Sequence, residues 1–125
     1  MEWTIDYQEK DEIVCVKTSG LMDWDQHKKF CEEVFPFAIK HGSHKVFIDF
    51  RDMVPNFTVL QIDDLPKLLK EVGVGPEFKI AGLYDESSSH SNEFEFFKNA
   101  SFLESIKVQY FSEKNEAIAW LKSEQ

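Results

Sequence analysis

The sequence predicts an α/β fold: a mixed, mostly parallel five-stranded sheet with an N-terminal β-hairpin and four helices. Three observations predict it. Residues 2–8 alternate, with Trp3, Ile5 and Tyr7 on one side and Thr4, Asp6 and Gln8 on the other, which is the period of a half-buried strand. Short β-rich runs at 12–18, 45–50, 78–84 and 108–111 then alternate with stretches whose apolar residues recur at helical spacing. The chain has 125 residues, 42% of them hydrophobic and twelve of them Phe, enough for one core, so residues 1–125 are expected to form a single domain.

The first strand turns at Glu9-Lys10-Asp11 into Ile13-Val14-Cys15-Val16, an antiparallel hairpin. Ser19-Gly20 breaks that pattern. Asp23 then caps a helix, with Gln26 three residues on as its reciprocal partner. Trp24, His27, Cys31, Val34 and Ala38 form its apolar stripe. Pro36 is expected to kink it or to start a second helix, because proline lacks a backbone donor. Gly42 ends the segment. Lys45 to Phe50 reads as a buried parallel strand, followed by a loop from Arg51 to Phe57. Thr58 and Gln61 have capping-box spacing, and Leu65, Leu68, Leu69 and Val72 make the next stripe, stopped at Gly73. After the strand at 78–84 comes a polar loop, Asp85 to Asn92. A third helix follows, with Phe94, Phe97, Ser101 and Phe102 on one side. The last strand leads to Ser112, read as the cap of a helix that buries Ala117, Trp120 and Leu121. This alternation requires right-handed crossovers, with the first strand as the antiparallel member.

Composition excludes several functions. Fourteen basic against twenty-three acidic residues give a net charge of −9, which repels nucleic acid and anionic lipid. No basic patch offsets it, since Lys67 and Lys70 lie among Asp63, Asp64 and Glu71. Cys15 and Cys31 lack metal or disulfide spacing and fall in apolar patterns. No run has the length of a membrane span, and the N-terminus lacks signal-peptide regions, so a cytoplasmic location is expected.

The opening hairpin, the strand ending Ile48-Asp49-Phe50 and the closing run Phe111-Ser112-Glu113-Lys114-Asn115-Glu116-Ala117-Ile118-Ala119-Trp120-Leu121 together resemble the SpoIIAA-like branch of the STAS superfamily across essentially the whole chain. The resemblance implies the STAS fold. It also implies a regulatory or binding role, because the superfamily includes bacterial anti-sigma factor antagonists controlled by a phosphorylatable Ser in an Asp-Ser-[Ser/Thr]-Gly motif. This chain reads Asp49-Phe50-Arg51-Asp52 there, without the motif, and Thr58 is the nearest hydroxyl and the candidate phosphosite. The related fold of CRAL-TRIO lipid carriers implies an apolar ligand as a further class.

Ligands of open α/β sheets sit beyond the carboxyl ends of the strands. Those ends bring Ser19 and Asp23, then Asp49, Arg51 and Asp52, then Asp85, Glu86, Ser87, Ser88, Ser89 and His90 to one edge. Helix N-termini near Asp23, Thr58 and Asn92 point to the same edge and favour an anion. Asp49, Arg51, Ser87, Ser88 and His90 are therefore the candidate ligand-binding residues, although ordinary loops and caps contain the same residue types. Asp49 reads better as a structural acceptor for backbone donors than as a catalytic group, with Arg51 two residues on as its partner.

Catalytic patterns fail. Ser88, His90 and Asp49 supply the residue types of a triad, and a hydrolase using Ser88 and His90 is one alternative, but no Gly-x-Ser-x-Gly elbow is present. A response regulator needs an acidic pair where Ser19-Gly20-Leu21 stands. His41 and His44 do not specify a metal site, and Gly73-Val74-Gly75-Pro76 follows a helix where a phosphate loop would precede one. No cofactor is implied. The expected function is a non-enzymatic binding or regulatory domain that recognises a partner protein or a small anionic or apolar ligand. A phosphorylation-controlled switch at Thr58 or the serine loop is the other alternative. Phe94, Phe96, Phe97 and Phe102 exceed one helix face, so a homodimer through the third helix is a further expectation.

Overall fold

The computed structural model describes residues 1–85, 87 and 90–123. Its elements are β1 (Glu2–Gln8), β2 (Ile13–Met22), α1 (Trp24–Lys40), β3 (Lys45–Pro55), α2 (Val59–Glu71), β4 (Lys79–Leu83), α3 (Ser91–Leu103), β5 (Lys107–Phe111) and α4 (Lys114–Lys122). The strands form a five-stranded sheet in the order β1-β2-β3-β4-β5, antiparallel between β1 and β2 and parallel thereafter. Each parallel step goes the same way, so right-handed crossovers stack α1, α2 and α3 on one face. Val14, Val16, Val46, Ile48 and Ile80 meet them there, with Phe30, Val34, Leu65 and Leu69 packed above. On the opposite face lies α4, whose Ala117 and Leu121 cover Ile13, Phe47, Ala81 and Leu83.

Both long strands outrun their expected bounds. Ser19-Gly20 does not end β2. Lys17 pairs with Asp49 and Ser19 with Asp52, so the extra residue of a bulge lies in β3, while β2 passes Gly20 at φ +89° and continues to Met22. The segment after Phe50 is likewise strand, not loop: β3 pairs with β2 up to Met22↔Pro55. Its pairing with β4 stops at Asp49↔Leu83. Beyond Asp49, β2 and β3 thus project as a two-stranded ledge past the carboxyl end of β4.

Helix signals divide into those that hold and those that yield to packing. Asp23 Oδ1 accepts the Gln26 amide at 2.9 Å, and Thr58 with Gln61 forms a complete capping box. Pro36 neither divides α1 nor ends it; Phe35 and Ala38 on either side are buried and hold the turn. The final helix is capped at Glu113, not Ser112, and without a side-chain bond. Its other end is tied down by Lys79, whose Nζ donates to Trp120 O at 2.8 Å, Ser123 O at 2.7 Å and Ser123 Oγ at 2.8 Å, and lies 5.1 Å from the Trp120 ring centroid. Burial, then the charges of Lys107 and Lys45, hold this amine below the ordinary lysine pKa. Three donors meet three acceptors, so Lys79→Met removes the tie to Ser123 and leaves Trp120 O only its bonds from the Ser123 amide and hydroxyl. It is expected to cost about 2 kcal/mol in urea denaturation and to speed amide exchange across residues 114–122.

Candidate functional site

The predicted site residues fall into local groups. Asp49 lies within β3, between Lys17 of β2 and Leu83 of β4. Arg51 clamps it: Nε donates to Oδ1 at 3.0 Å, Nη2 to Oδ2 at 2.8 Å, and the Arg51 amide to Oδ1 at 3.0 Å. Burial would raise the Asp49 carboxyl, but these bonds and the charges of Arg51 and Lys17 outweigh it and hold the pKa below the usual carboxylate value. The pair satisfies itself, as the acceptor reading of Asp49 anticipated.

Ser87 is held by Asp85, whose Oδ1 accepts from the Ser87 amide at 3.0 Å and from its hydroxyl at 2.7 Å. His90 Nδ1 lies 2.8 Å from Glu93 Oε2 and stands at the N-cap of α3 without a side-chain cap bond. Ser88 lies outside the described residues, as do Glu86 and Ser89. Thr58 uses its hydroxyl oxygen to accept the Gln61 amide at 3.1 Å. At the start of α1 the Asp23 carboxylate accepts the Gln26 amide, so that terminus already holds an anion of the chain's own. Among the described residues, no group of three His, Cys, Asp or Glu side chains is placed to hold a metal ion, and no helix is long and apolar enough to cross a membrane.

The sheet winds in one direction and never reverses, so it lacks the switch-point crevice that gives open α/β sheets their usual ligand site. Space opens instead between the ledge and the helix layer. Met22, Met53 and Pro55 form its roof, Ile62 and Leu65 of α2 one wall, and Phe94 and Phe97 of α3 the other. The cavity measures about 40 Å³, and a second of about 20 Å³ shares His27, Phe50, Phe97 and Tyr110 with it, continuing towards Leu69 and Ile80. Together they make a narrow apolar slot running inward from the carboxyl edge. Gly82 gives it depth, because a Cβ there would sit 2.5 Å from the Tyr110 ring. Phe94 stands over that ring at 5.1 Å between centroids.

The most deeply bonded polar group of the slot is His27. Its Nδ1 lies 2.9 Å from Met22 Sδ and its Nε2 3.3 Å from Cys31 Sγ. A thioether carries no hydrogen, so Nδ1–H donates to Met22, and the bare Nε2 accepts from the Cys31 thiol. The imidazole is thereby fixed as one neutral tautomer. Burial lowers its pKa from 6.5 to about 4 and raises that of the Cys31 thiol, so the pair is neither a base nor a nucleophile at neutral pH. Sequence reasoning placed His27 and Cys31 on one helical stripe, but the approach of Met22 depends on β2 running on past Gly20. Comparison with protein-family models finds no match for this chain, and comparison with curated proteins finds none either.

Proposed function

We propose that this chain is a non-enzymatic binding domain of the SpoIIAA-like STAS kind, and that it takes a small apolar ligand, such as an aliphatic chain, into the slot at the carboxyl edge of its sheet. The element order, with a hairpin followed by alternating helices and parallel strands, agrees with that fold. The observation that carries the binding reading is a buried apolar slot that opens at the strand ends among Met22, Met53 and Pro55. Unbranched methionines repack at low cost around ligands of differing shape. At about 40 Å³ the outer cavity has room for no more than a few waters, so a ligand enters only as α2 and α3 part. The imidazole that lines it is not free to act on a substrate, since His27 spends both nitrogens on sulfur.

The test uses a fluorescent fatty acid as probe. Wild-type protein is expected to bind it, and Met53→Phe, which fills the slot, is expected to weaken binding by at least about tenfold with the fold intact by circular dichroism. Undiminished binding by Met53→Phe, with loss on Arg51→Ala, would move the site to the polar rim and overturn the slot.

A further inference from the structure

We infer that the open edge of the sheet at β5 is a contact between two copies of this chain, which pair antiparallel through β5 into one continuous sheet. Among the described residues β5 has β4 on one side and no strand on the other, which leaves one row of backbone donors and acceptors unpaired. A groove of about 640 Å³ runs along that side, floored by Val108 and Gln109 and walled by Phe102 and Trp120. Phe102, expected from the sequence to face the core, is 79% exposed, and its neighbour Leu103 is 83% exposed. Phe96 on the same helix is 43% exposed. Clustered exposure of large apolar side chains on one helix marks a contact surface.

The strand's own sequence selects a second copy as the occupant. Antiparallel pairing centred on Gln109 sets Gln109 against Gln109, Val108 against Tyr110 and Lys107 against Phe111. All five residues then pair, and no like charges face each other across the strands. The amide side chains at the axis supply both donor and acceptor to one another. Phe102 and Trp120, which wall the groove, flank the paired strands with apolar surface. A net charge of −9 on each copy opposes the approach, so association strengthens as salt screens it. This interface is independent of the apolar slot.

Light scattering across concentration and salt, with site-directed cross-linking, tests it. In a Cys15→Ser background, Gln109→Cys is expected to give a disulfide-linked dimer on mild oxidation, because directly opposed antiparallel residues lie within disulfide range. Thr4→Cys, on the opposite edge of the sheet, is expected to stay monomeric. Combined Phe102→Asp and Leu103→Asp, both at exposed positions, should weaken the dimer at least about tenfold with unchanged circular dichroism. A strict monomer at high protein and high salt overturns the inference. So does a dimer that survives the double substitution, or a cross-link from Thr4→Cys on one copy to Gln109→Cys on another.

Discussion

Phe94→Ala is expected to lower stability by about 3–5 kcal/mol, the range for truncating a buried aromatic side chain. Phe94 is 8% exposed and is the hub of an aromatic cluster, with ring centroids 5.6 Å from Phe50, 5.5 Å from Tyr84 and 5.1 Å from Tyr110. Its removal takes away both the transfer free energy of the ring and the dispersion contacts of those three neighbours. Collapse cannot recover them cheaply. Phe50 is fixed by its strand, and Tyr110 already lies against Gly82, where a Cβ would come within 2.5 Å of its ring. The void therefore joins the slot that Phe94 lines. Two readouts follow from one change: a lower midpoint in urea, and a midpoint that rises again when a small apolar compound such as benzene is added, because ligand bound only by the folded state stabilises it by mass action. A loss below about 1 kcal/mol would mean that the cluster is not a packed core.

The same cluster shows how far the sequence can be read. Alternation over residues 2–8 was sufficient for β1, because one face of an edge strand is wet and each side chain reports its own side. The ledge was not legible. Ser19-Gly20 and Arg51-Asp52 carry residues that usually close a strand, yet here β2 runs on through Gly20 at φ +89°, and Arg51 falls at the bulge of β3, where it clamps Asp49. Strands that ended at those residues would leave the slot without Met22, Met53 and Pro55 as its roof. The candidate site therefore appeared as a polar rim around Asp49, Arg51 and the 87–90 loop, while the apolar space beneath it stayed hidden. Phe102 shows the opposite limit: helical spacing puts it on the side of Phe94, yet Phe94 is buried while Phe102 stands exposed in the groove at β5.

Acidification is expected to destabilise the fold between pH 6.5 and about 4, and His27 is the reason. Above pH 6.5 the imidazole is neutral in folded and unfolded chains alike, so it contributes no pH dependence. Below 6.5 the unfolded chain takes up a proton that the folded chain, with its pKa lowered by burial to about 4, refuses. The unfolded state then binds more protons, and stability falls with pH until the folded imidazole also titrates. At 1.36 kcal/mol per unit the full loss is about 3 kcal/mol. Met22, Cys31, Phe30 and Phe57 surround the ring without a charge to soften the penalty, and Glu93 at the slot is already engaged by His90. Protonating Nε2 would also break the bond from the Cys31 thiol, so the folded state has no inexpensive way to accept the proton. The limb is separable from the carboxylates, since Asp49 has its pKa held below 3.8 and gives up its stabilisation only at lower pH. Urea midpoints measured from pH 7.5 to 4.5 should decline for the wild type and stay flat for His27→Leu, whatever the absolute stability of that variant. A decline of equal size in His27→Leu would assign the acid sensitivity elsewhere, and a flat wild-type profile would mean that water reaches the ring and that the wall of the slot is open.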